Sequence, residues 1–436
     1  MVVQCAFAPL VRRMLDIQLI RNERDRVSQA LQKRLAAEDV DRALDEILAL
    51  DAERRTLIQE VEASHRAKKA RSEAVGRAMR EGRQVERPDD LPDASAASAR
   101  LRDVIERFEL RMSELPNMPA DDVVAGGKEA NRVVRTWGSA PALEAPVPHW
   151  DIASRRRLVD FERGVNLSGS GFWIYTGVGA QLEWALVNYF VAENIRAGYT
   201  MLLPPHIVLP AAGRAAGQFP KFAEDVYHTT EANGLFLIPT AETAIAGAFA
   251  NEVFAEADLP FKAFAYTPCY RREKAGPHSD ERGTVRGHQF NKVEVFQFTA
   301  PDRAEAALDE MVAHVEGLVA RLGLHHRTSL LAASDSSASM RKTYDIEVWM
   351  PSIGGYKEVS SVSWAGDYQA RRAAIRYRPK EAKGTRFVHT LNGSALATSR
   401  IFPAVLEQCQ QADGSIVVPE ILRPYSFGLE RIAPGE

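Results

Sequence analysis

The sequence predicts an α+β protein, in which an N-terminal antiparallel α-helical coiled-coil arm precedes a larger domain on an antiparallel β-sheet. Three observations carry this reading. Residues 39–82 contain no proline and a single internal glycine before Gly82, with apolar or small residues at helical steps of three and four: Val40, Leu44, Ile47, Ile58, Val61, then Ala63, Ala67, Ala70, Ala74 and Ala78. After a break at Pro88 and Pro92 the pattern returns at Ala94, Ala97, Leu101, Val104, Phe108, Met112 and Leu115. Beyond Trp150, short β-like runs alternate with helical windows in no regular βαβ order.

The boundaries follow from these changes of texture. Residues 1–115 form the arm, 116–150 a linker rich in Pro, Gly and Asp, and 151–436 the larger domain. An outgoing helix of 44 residues would be about 66 Å long, too long to lie wholly on a small domain, so it should project. Two narrow apolar seams, one turning back on the other, make an antiparallel hairpin. In the larger domain the strand candidates are Trp173–Thr176, Leu235–Ile238, Ala263–Tyr270, Lys292–Phe298 and Tyr344–Trp349; the helical windows include Ala180–Arg196 and Ala304–Leu322.

Composition narrows the class. With 436 residues, 45% hydrophobic and 26% charged, the chain has the balance of a globular protein of two or three domains, and collagen-like or wholly disordered states are excluded. No run approaches the roughly 20 apolar residues that span a bilayer, so no membrane role is expected. Cys5, Cys269 and Cys409 lie far apart without a CxxC pair, which signals neither a disulfide framework nor a thiolate zinc site and fits a reducing cytoplasm. Arg12 and Arg13 follow the apolar run Cys5–Val11, the reverse of a secretory signal; the short acid-free leader leaves open a weak transit sequence or a true start at Met14.

Net charge is −3, from 55 Lys and Arg against 58 Asp and Glu, which argues against a uniformly basic nucleic-acid coat. The arm is the exception. Its distal half carries Arg66, Lys68, Lys69, Arg71, Arg77, Arg80 and Arg83 against only Glu73 and Glu81. A solvated helix face and a phosphate-binding face both account for such a run.

The chemistry is sought where the Gly-rich nucleotide cradles are missing: there is no GxxxxGK[ST] and no GxGxxG after a strand, so a nucleotide must be held by side chains. The segment Thr267–Glu273 places Arg271 and Glu273 on one face if extended, and a charged turn from Lys274 to Gly283 leads to Val285–Glu294, where Arg286, His288, Phe290 and Glu294 share a face. A hairpin presenting Arg, Glu, Arg, His, Phe and Glu together is poorly explained as an ordinary solvated surface.

These residues, with the blocks Gly217–Phe222, Leu237–Glu242, Lys342–Trp349, Gln369–Arg372, His389–Ser394 and Pro419–Tyr425, resemble the seryl-tRNA synthetases, a family of class II aminoacyl-tRNA synthetases, over nearly the whole chain. The resemblance implies a class II catalytic domain that uses ATP and Mg²⁺ to activate L-serine and transfer it to serine tRNA, in a cytoplasmic homodimer. By that resemblance the catalytic arginines are Arg271, on the α-phosphate and the amino-acid carboxylate, and Arg400, on the γ-phosphate. ATP would further meet Arg272, Glu273 at the adenine amino edge, Phe290 at its face, and Glu358, Val359, Ser360 and Ser361. Glu358 and Ser361 would hold Mg²⁺, as hard oxygen donors suit that ion. Serine would be held by Thr240, Ala241, Glu242, Arg271, Glu294 and Ser394. The arm would grip tRNA through Arg66, Lys68, Lys69, Arg71 and Arg77, and the segment Gly198–Pro205 would supply the dimer contact.

The sequence departs from the family pattern in three places. Ala395 and Ser399 stand where glycines are usual, with Pro403 in the helix that follows; Ala333–Ser339 replaces a Gly-Asp-containing stretch; and the return helix of the arm is about half the length of the outgoing one. These departures keep open a paralogue that resists inhibitors or activates serine, or an analogue, for a biosynthetic acceptor. A non-catalytic RNA-binding relative is disfavoured because Arg271 and Arg400 are retained.

Overall fold

The computed structural model describes residues 15–82, 94–273 and 282–434. The leader with Cys5, Arg12, Arg13 and Met14, the arm tip with Arg83, Pro88 and Pro92, and most of the Lys274–Gly283 turn lie outside the described residues. The chain divides into two units, Met1–Pro116 and Asn117–Glu436.

In the first unit, α1 (Ile17–Asn22) and α2 (Arg24–Leu31) precede the long α3 (Ala37–Arg80) and the returning α4 (Ala94–Glu114). The Asp16 carboxylate caps α1 by accepting from the Gln18 N–H at 2.9 Å. Arg111 pairs with Glu46 at 3.0 Å and Arg100 donates to Glu53 at 2.9 Å, so α3 and α4 run antiparallel. Val40, Leu44, Ile47 and Leu57 of α3 and Val104, Phe108 and Met112 of α4 are buried. Between Leu50 and Leu57, both buried, the seam holds a buried ion pair, Asp51 with Arg54 at 2.7 Å. The Arg54 guanidinium lies 4.6 Å from the Phe108 ring centre, and Arg21 of α1 donates to the same Asp51 carboxylate at 2.6 Å. Ala63, Ala67, Ala70 and Ala74, expected as part of the seam, are exposed.

The second unit is built on eight strands: β1 (Arg132–Trp137), β2 (Thr200–Leu202), β3 (Phe261–Tyr270), β4 (Gln289–Thr299), β5 (His326–Leu330), β6 (Lys342–Met350), β7 (Gly355–Gly366) and β8 (His389–Ala397). Their spatial order is β1-β5-β6-β7-β8-β4-β3-β2, and every neighbouring pair is antiparallel except β2 with β3. The stretch expected as a linker packs into this unit instead. Its residues Arg132–Trp137 form the edge strand β1 on β5, and the Asn117 side chain donates to the carbonyls of Ser339 and Ala365 at 2.9 and 2.7 Å. The Pro, Gly and Asp content gave this segment no periodicity, but the backbone of Arg132–Trp137 pairs with β5, and Asn117, Ala120, Val124 and Gly126 bond the chain between Ala333 and Arg341.

The faces of the sheet divide the labour. On β4, Val293 and Val295 point into an apolar core shared with α5 (Gly177–Arg196), α7 (Ala304–Arg321) and α9 (Thr398–Gln408). On the opposite face, Phe296 and Phe298 pack with Ala241 and Ile245 of α6 (Ala241–Ala248) and Ala370 and Ala373 of α8 (Tyr368–Ala373). Further along that same face, at Phe290, Lys292 and Glu294, the apolar cover gives way to an open cleft. Among the described residues, no helix is long and apolar enough to cross a membrane.

Candidate active site

The cleft is walled by β3, β4, β7 and β8 and by the ends of two helices. One lobe, of about 560 Å³, takes in Thr240, Glu242, Arg271, Glu294 and Ser394; a tighter recess of about 60 Å³ takes in Phe290, Val359, Ser399 and Arg400. Arg271, Glu273, Lys292, Glu358 and Ser394 line both, which makes the two continuous.

β3 ends at Tyr270, so Arg271 and Glu273 do not share a face by strand alternation. The Arg271 N–H donates to the His288 carbonyl at 2.9 Å and extends the ladder by one bond, after which Glu273 takes a left-handed conformation with φ of 39°. Both side chains still reach the cleft. Glu273 pairs with Arg286 across the turn, and the Arg271 guanidinium sits 5.1 Å from the centre of the Phe290 ring. His288 is held back from the cleft, stacked on Phe172 at 5.1 Å with its Nδ1 against the Arg271 carbonyl at 3.0 Å. Beneath Arg271, the Cys269 thiol is fully buried, and that burial pushes its pKa up.

The deeper lobe is polar at its floor. Thr240 caps α6, accepting from the Glu242 N–H at 3.3 Å, which fixes Glu242 in the first turn. The Glu242 carboxylate accepts from Gln369 at 2.6 Å and from Asn392 at 3.0 Å. Burial, and after it the charge of Glu294, raises its pKa to about 7. Register places Ser394 directly opposite Glu294, and their side chains are 3.4 Å apart. Lys292 bridges the lobe: its ammonium donates to the Thr240 hydroxyl at 2.7 Å and pairs with Glu294 at 2.5 Å.

At the outer wall, Arg400 of α9 pairs with the Glu358 carboxylate at 3.1 Å and donates to the Glu358 carbonyl at 2.9 Å. Burial works against ionised Glu358, but Arg400 first and then the Ser361 hydroxyl hold its pKa below the usual value. Asp345 faces Ser361 across the β6–β7 register and accepts from its hydroxyl at 2.6 Å. Burial and the neighbouring Glu358 keep the Asp345 pKa well above the usual carboxylate range. Two carboxyls that share one hydroxyl and cannot both ionise freely fit a divalent cation with hard oxygen donors. Among the described residues there is no group of three or more His, Cys, Asp or Glu side chains that could hold a metal ion.

Residues 227–409 match the family profile of the class II tRNA synthetase core domain (G, H, P, S and T), and residues 14–119 match that of the seryl-tRNA synthetase N-terminal domain. The chain is 49% identical to serine–tRNA ligase 2 of Clostridium acetobutylicum, with 94% of this chain and 99% of that protein covered. It belongs to the seryl-tRNA synthetase family. A serine–tRNA ligase of Trichlorobacter lovleyi is 40% identical over 96% of this chain and 100% of its own length. Among solved structures, seryl-tRNA synthetase from Pyrococcus horikoshii complexed with ATP superposes with a TM-score of 0.86 at 32% identity, covering 97% of this chain and 100% of that one.

Of the residues expected from the family resemblance, the fold gathers Arg271, Glu273, Phe290, Glu358, Val359, Ser361 and Arg400 around the recess and its mouth, and Thr240, Glu242, Glu294 and Ser394 in the deeper lobe. Three expected contacts face elsewhere. Arg272 is exposed and donates to the Glu224 carbonyl at 3.4 Å; the Ser360 hydroxyl donates to the Ser394 carbonyl at 2.6 Å; Ala241 is buried among the apolar residues under α6. On α3, Arg66, Lys68, Lys69 and Arg77 are exposed and Arg71 is half-buried.

The sequence reading passed over Lys292, Asp345, Gln369 and Asn392. Lys292 was within reach, since it has the same parity on β4 as Phe290 and Glu294. Asp345, Gln369 and Asn392 stand inside family blocks without a role attached to them, and only the fold sets Asp345 against Ser361 and brings Gln369 and Asn392 onto Glu242.

Proposed function

We propose that this family member is a serine–tRNA ligase: it condenses L-serine with ATP to seryl-adenylate, releasing pyrophosphate, and transfers the seryl group to serine tRNA, releasing AMP. The observation that carries this reading is the continuity of the two lobes, one with a buried carboxylate pair suited to a small hydroxy amino acid, the other with arginines and an aromatic face suited to ATP. Arg271 stands at the junction, where the serine carboxylate attacks the α-phosphorus. A fixed guanidinium there stabilises the growing negative charge with little reorganisation.

Glu242 takes the substrate ammonium. Glu294 and Ser394 take the side-chain hydroxyl, and a substrate lacking that hydroxyl leaves them unpaired, which polar sites reject strongly. Phe290 and Glu273 receive the adenine, and Arg400 receives the γ-phosphate. Glu358 and Ser361, with Asp345 behind them, would hold Mg²⁺, which when bound offsets charge on the polyphosphate. The exposed basic residues of α3 supply phosphate contacts for tRNA. Exposed Trp184 and Leu203, around the expected dimer segment, suit a second copy of the chain. The cytoplasm, where charged tRNA is consumed, is the expected location.

The test is ATP–pyrophosphate exchange over a panel of amino acids, followed by tRNA charging. Exchange with serine far above threonine, alanine and cysteine, then charging of serine tRNA, is expected. Comparable exchange with threonine overturns the pocket assignment, and serine exchange without tRNA charging would favour a biosynthetic acceptor.

A further inference from the structure

Pro403 is the sixth residue of α9, beyond the first turn where a missing N–H costs nothing. In a regular helix its N–H would serve the carbonyl four residues back, at Ser399. That carbonyl instead accepts a hydrogen bond from the hydroxyl of Thr284, a buried residue outside the helix, at 3.1 Å. Thr284 lies between Gly283 and the Arg286 that pairs with Glu273, at the foot of the turn joining β3 to β4. Ser399 immediately precedes Arg400.

A second contact braces the same two segments. Gly283, with φ of +80°, lies so close to the His149 ring that an added Cβ would fall 2.2 Å from Nε2. The other ring nitrogen of His149 bonds Glu407, near the end of α9, at 2.7 Å. Within α9 itself, the Phe402 ring beside Pro403 packs edge-on to Tyr175 at 5.1 Å.

We infer that Thr284 is a positioning residue that uses the carbonyl left free by Pro403 to lock the Arg400 helix to the Glu273–Arg286 side of the nucleotide recess. The inference rests on reading this cleft as the ATP site. Proline at this place exchanges a bond internal to the helix for one between the two segments that meet the nucleotide. Thr284 touches no substrate and acts through Arg400, so its loss should weaken ATP use and leave the serine lobe unchanged.

The experiment is a double-mutant cycle in the full-length protein, read by serine-dependent pyrophosphate exchange. Thr284→Val keeps the shape and removes the donor; it should raise KM for ATP by about tenfold, with KM for serine within about twofold. Thr284→Ser keeps the donor and should behave like the parent. Pro403→Ala restores the helical N–H, so Thr284→Val in that background should lose most of its effect. An unchanged ATP KM in Thr284→Val, an equal rise in both KM values, or the same defect with and without Pro403→Ala each overturns the inference. If Thr284→Val alone does not fold, recovery of a folded, active protein by adding Pro403→Ala supports the link, and failure to recover rejects it. Absence of serine-dependent exchange in the parent protein is a different result and refutes the reading of the cleft instead.

Discussion

Lys292 and Glu294, two residues apart on one strand, form an ion pair of 2.5 Å with both side chains almost wholly buried. The pair sits between Thr240 and Ser394, so one carboxylate of the serine lobe is already neutralised. The other, Glu242, is the one the proposed function gives to the substrate ammonium. Replacing Lys292 by methionine leaves Glu294 buried and uncompensated, which costs about 3–5 kcal/mol when one member of such a pair is removed. Lys292→Met should lower the melting temperature and raise KM for serine at least tenfold, with a smaller change for ATP. Exchange kinetics beside thermal melts check it, and an unaltered serine KM would show that Lys292 has no part in the lobe.

A pH dependence follows from Glu242. Its carboxyl is raised from 4.5 to about 7 in the folded protein, chiefly by burial. The stability from its protonated form is full below 4.5 and is lost as pH rises through 7, whereas ammonium binding needs the ionised form, which prevails above 7. Serine KM should therefore fall as pH is raised from 6 to 8, by up to about tenfold per unit on the acid side, while the ligand-free protein loses thermal stability over the same window. Glu242→Gln should flatten both trends relative to the parent.

Ser399 lines the tighter recess proposed for the nucleotide, where the family pattern has glycine and no Cβ. A non-hydrolysable seryl-adenylate mimic should therefore inhibit Ser399→Gly more strongly than the parent, with ATP KM nearly unchanged. Equal inhibition constants for the two proteins would remove Ser399 as a determinant of inhibitor fit.

The arm offers two separable changes. Asp51 is buried and holds Arg54 and Arg21, so Asp51→Ala leaves Arg54 without its partner in an apolar seam and should destabilise the arm by about 3 kcal/mol or more. Thermal unfolding followed by circular dichroism would register it. Substituting Arg66, Lys68 and Lys69 with glutamine should leave the fold and serine-dependent exchange intact. Binding of serine tRNA should weaken, and the slope of log affinity against log salt should fall by roughly one unit for each phosphate contact removed. A salt slope identical to that of the parent would exclude these residues from the RNA surface.

How much of this was legible in the sequence depended on whether local pattern and tertiary purpose agreed. The arm was readable because Val40, Leu44, Ile47, Val104 and Phe108 repeat at the helical period and are buried for that reason. The same rule was blind to Asp51 and Arg54, which occupy seam positions as an ion pair. Strands β7 and β8 escaped notice because Glu358, Ser361, Asn392, Gly393 and Ser394 replace the β-branched residues a strand favours. Those residues serve the cleft, and ladder bonds to their neighbours hold them extended. Gln369 and Asn392 are neutral amides from separate elements, and no spacing announces that they meet on one carboxylate.

The thiol buried beneath Arg271 has a consequence for chemical durability. Oxidants and alkylating agents attack thiolates, and the Cys269 pKa is pushed up by burial on a strand where no reagent reaches it. Cys409 is likewise held protonated, its pKa raised to about 12 by burial. Neither thiol ionises readily at neutral pH, which slows the first step of oxidation to sulfenic acid. Among the described residues, loss of aminoacylation under mild peroxide should therefore not track oxidation of Cys269, the thiol nearest the cleft.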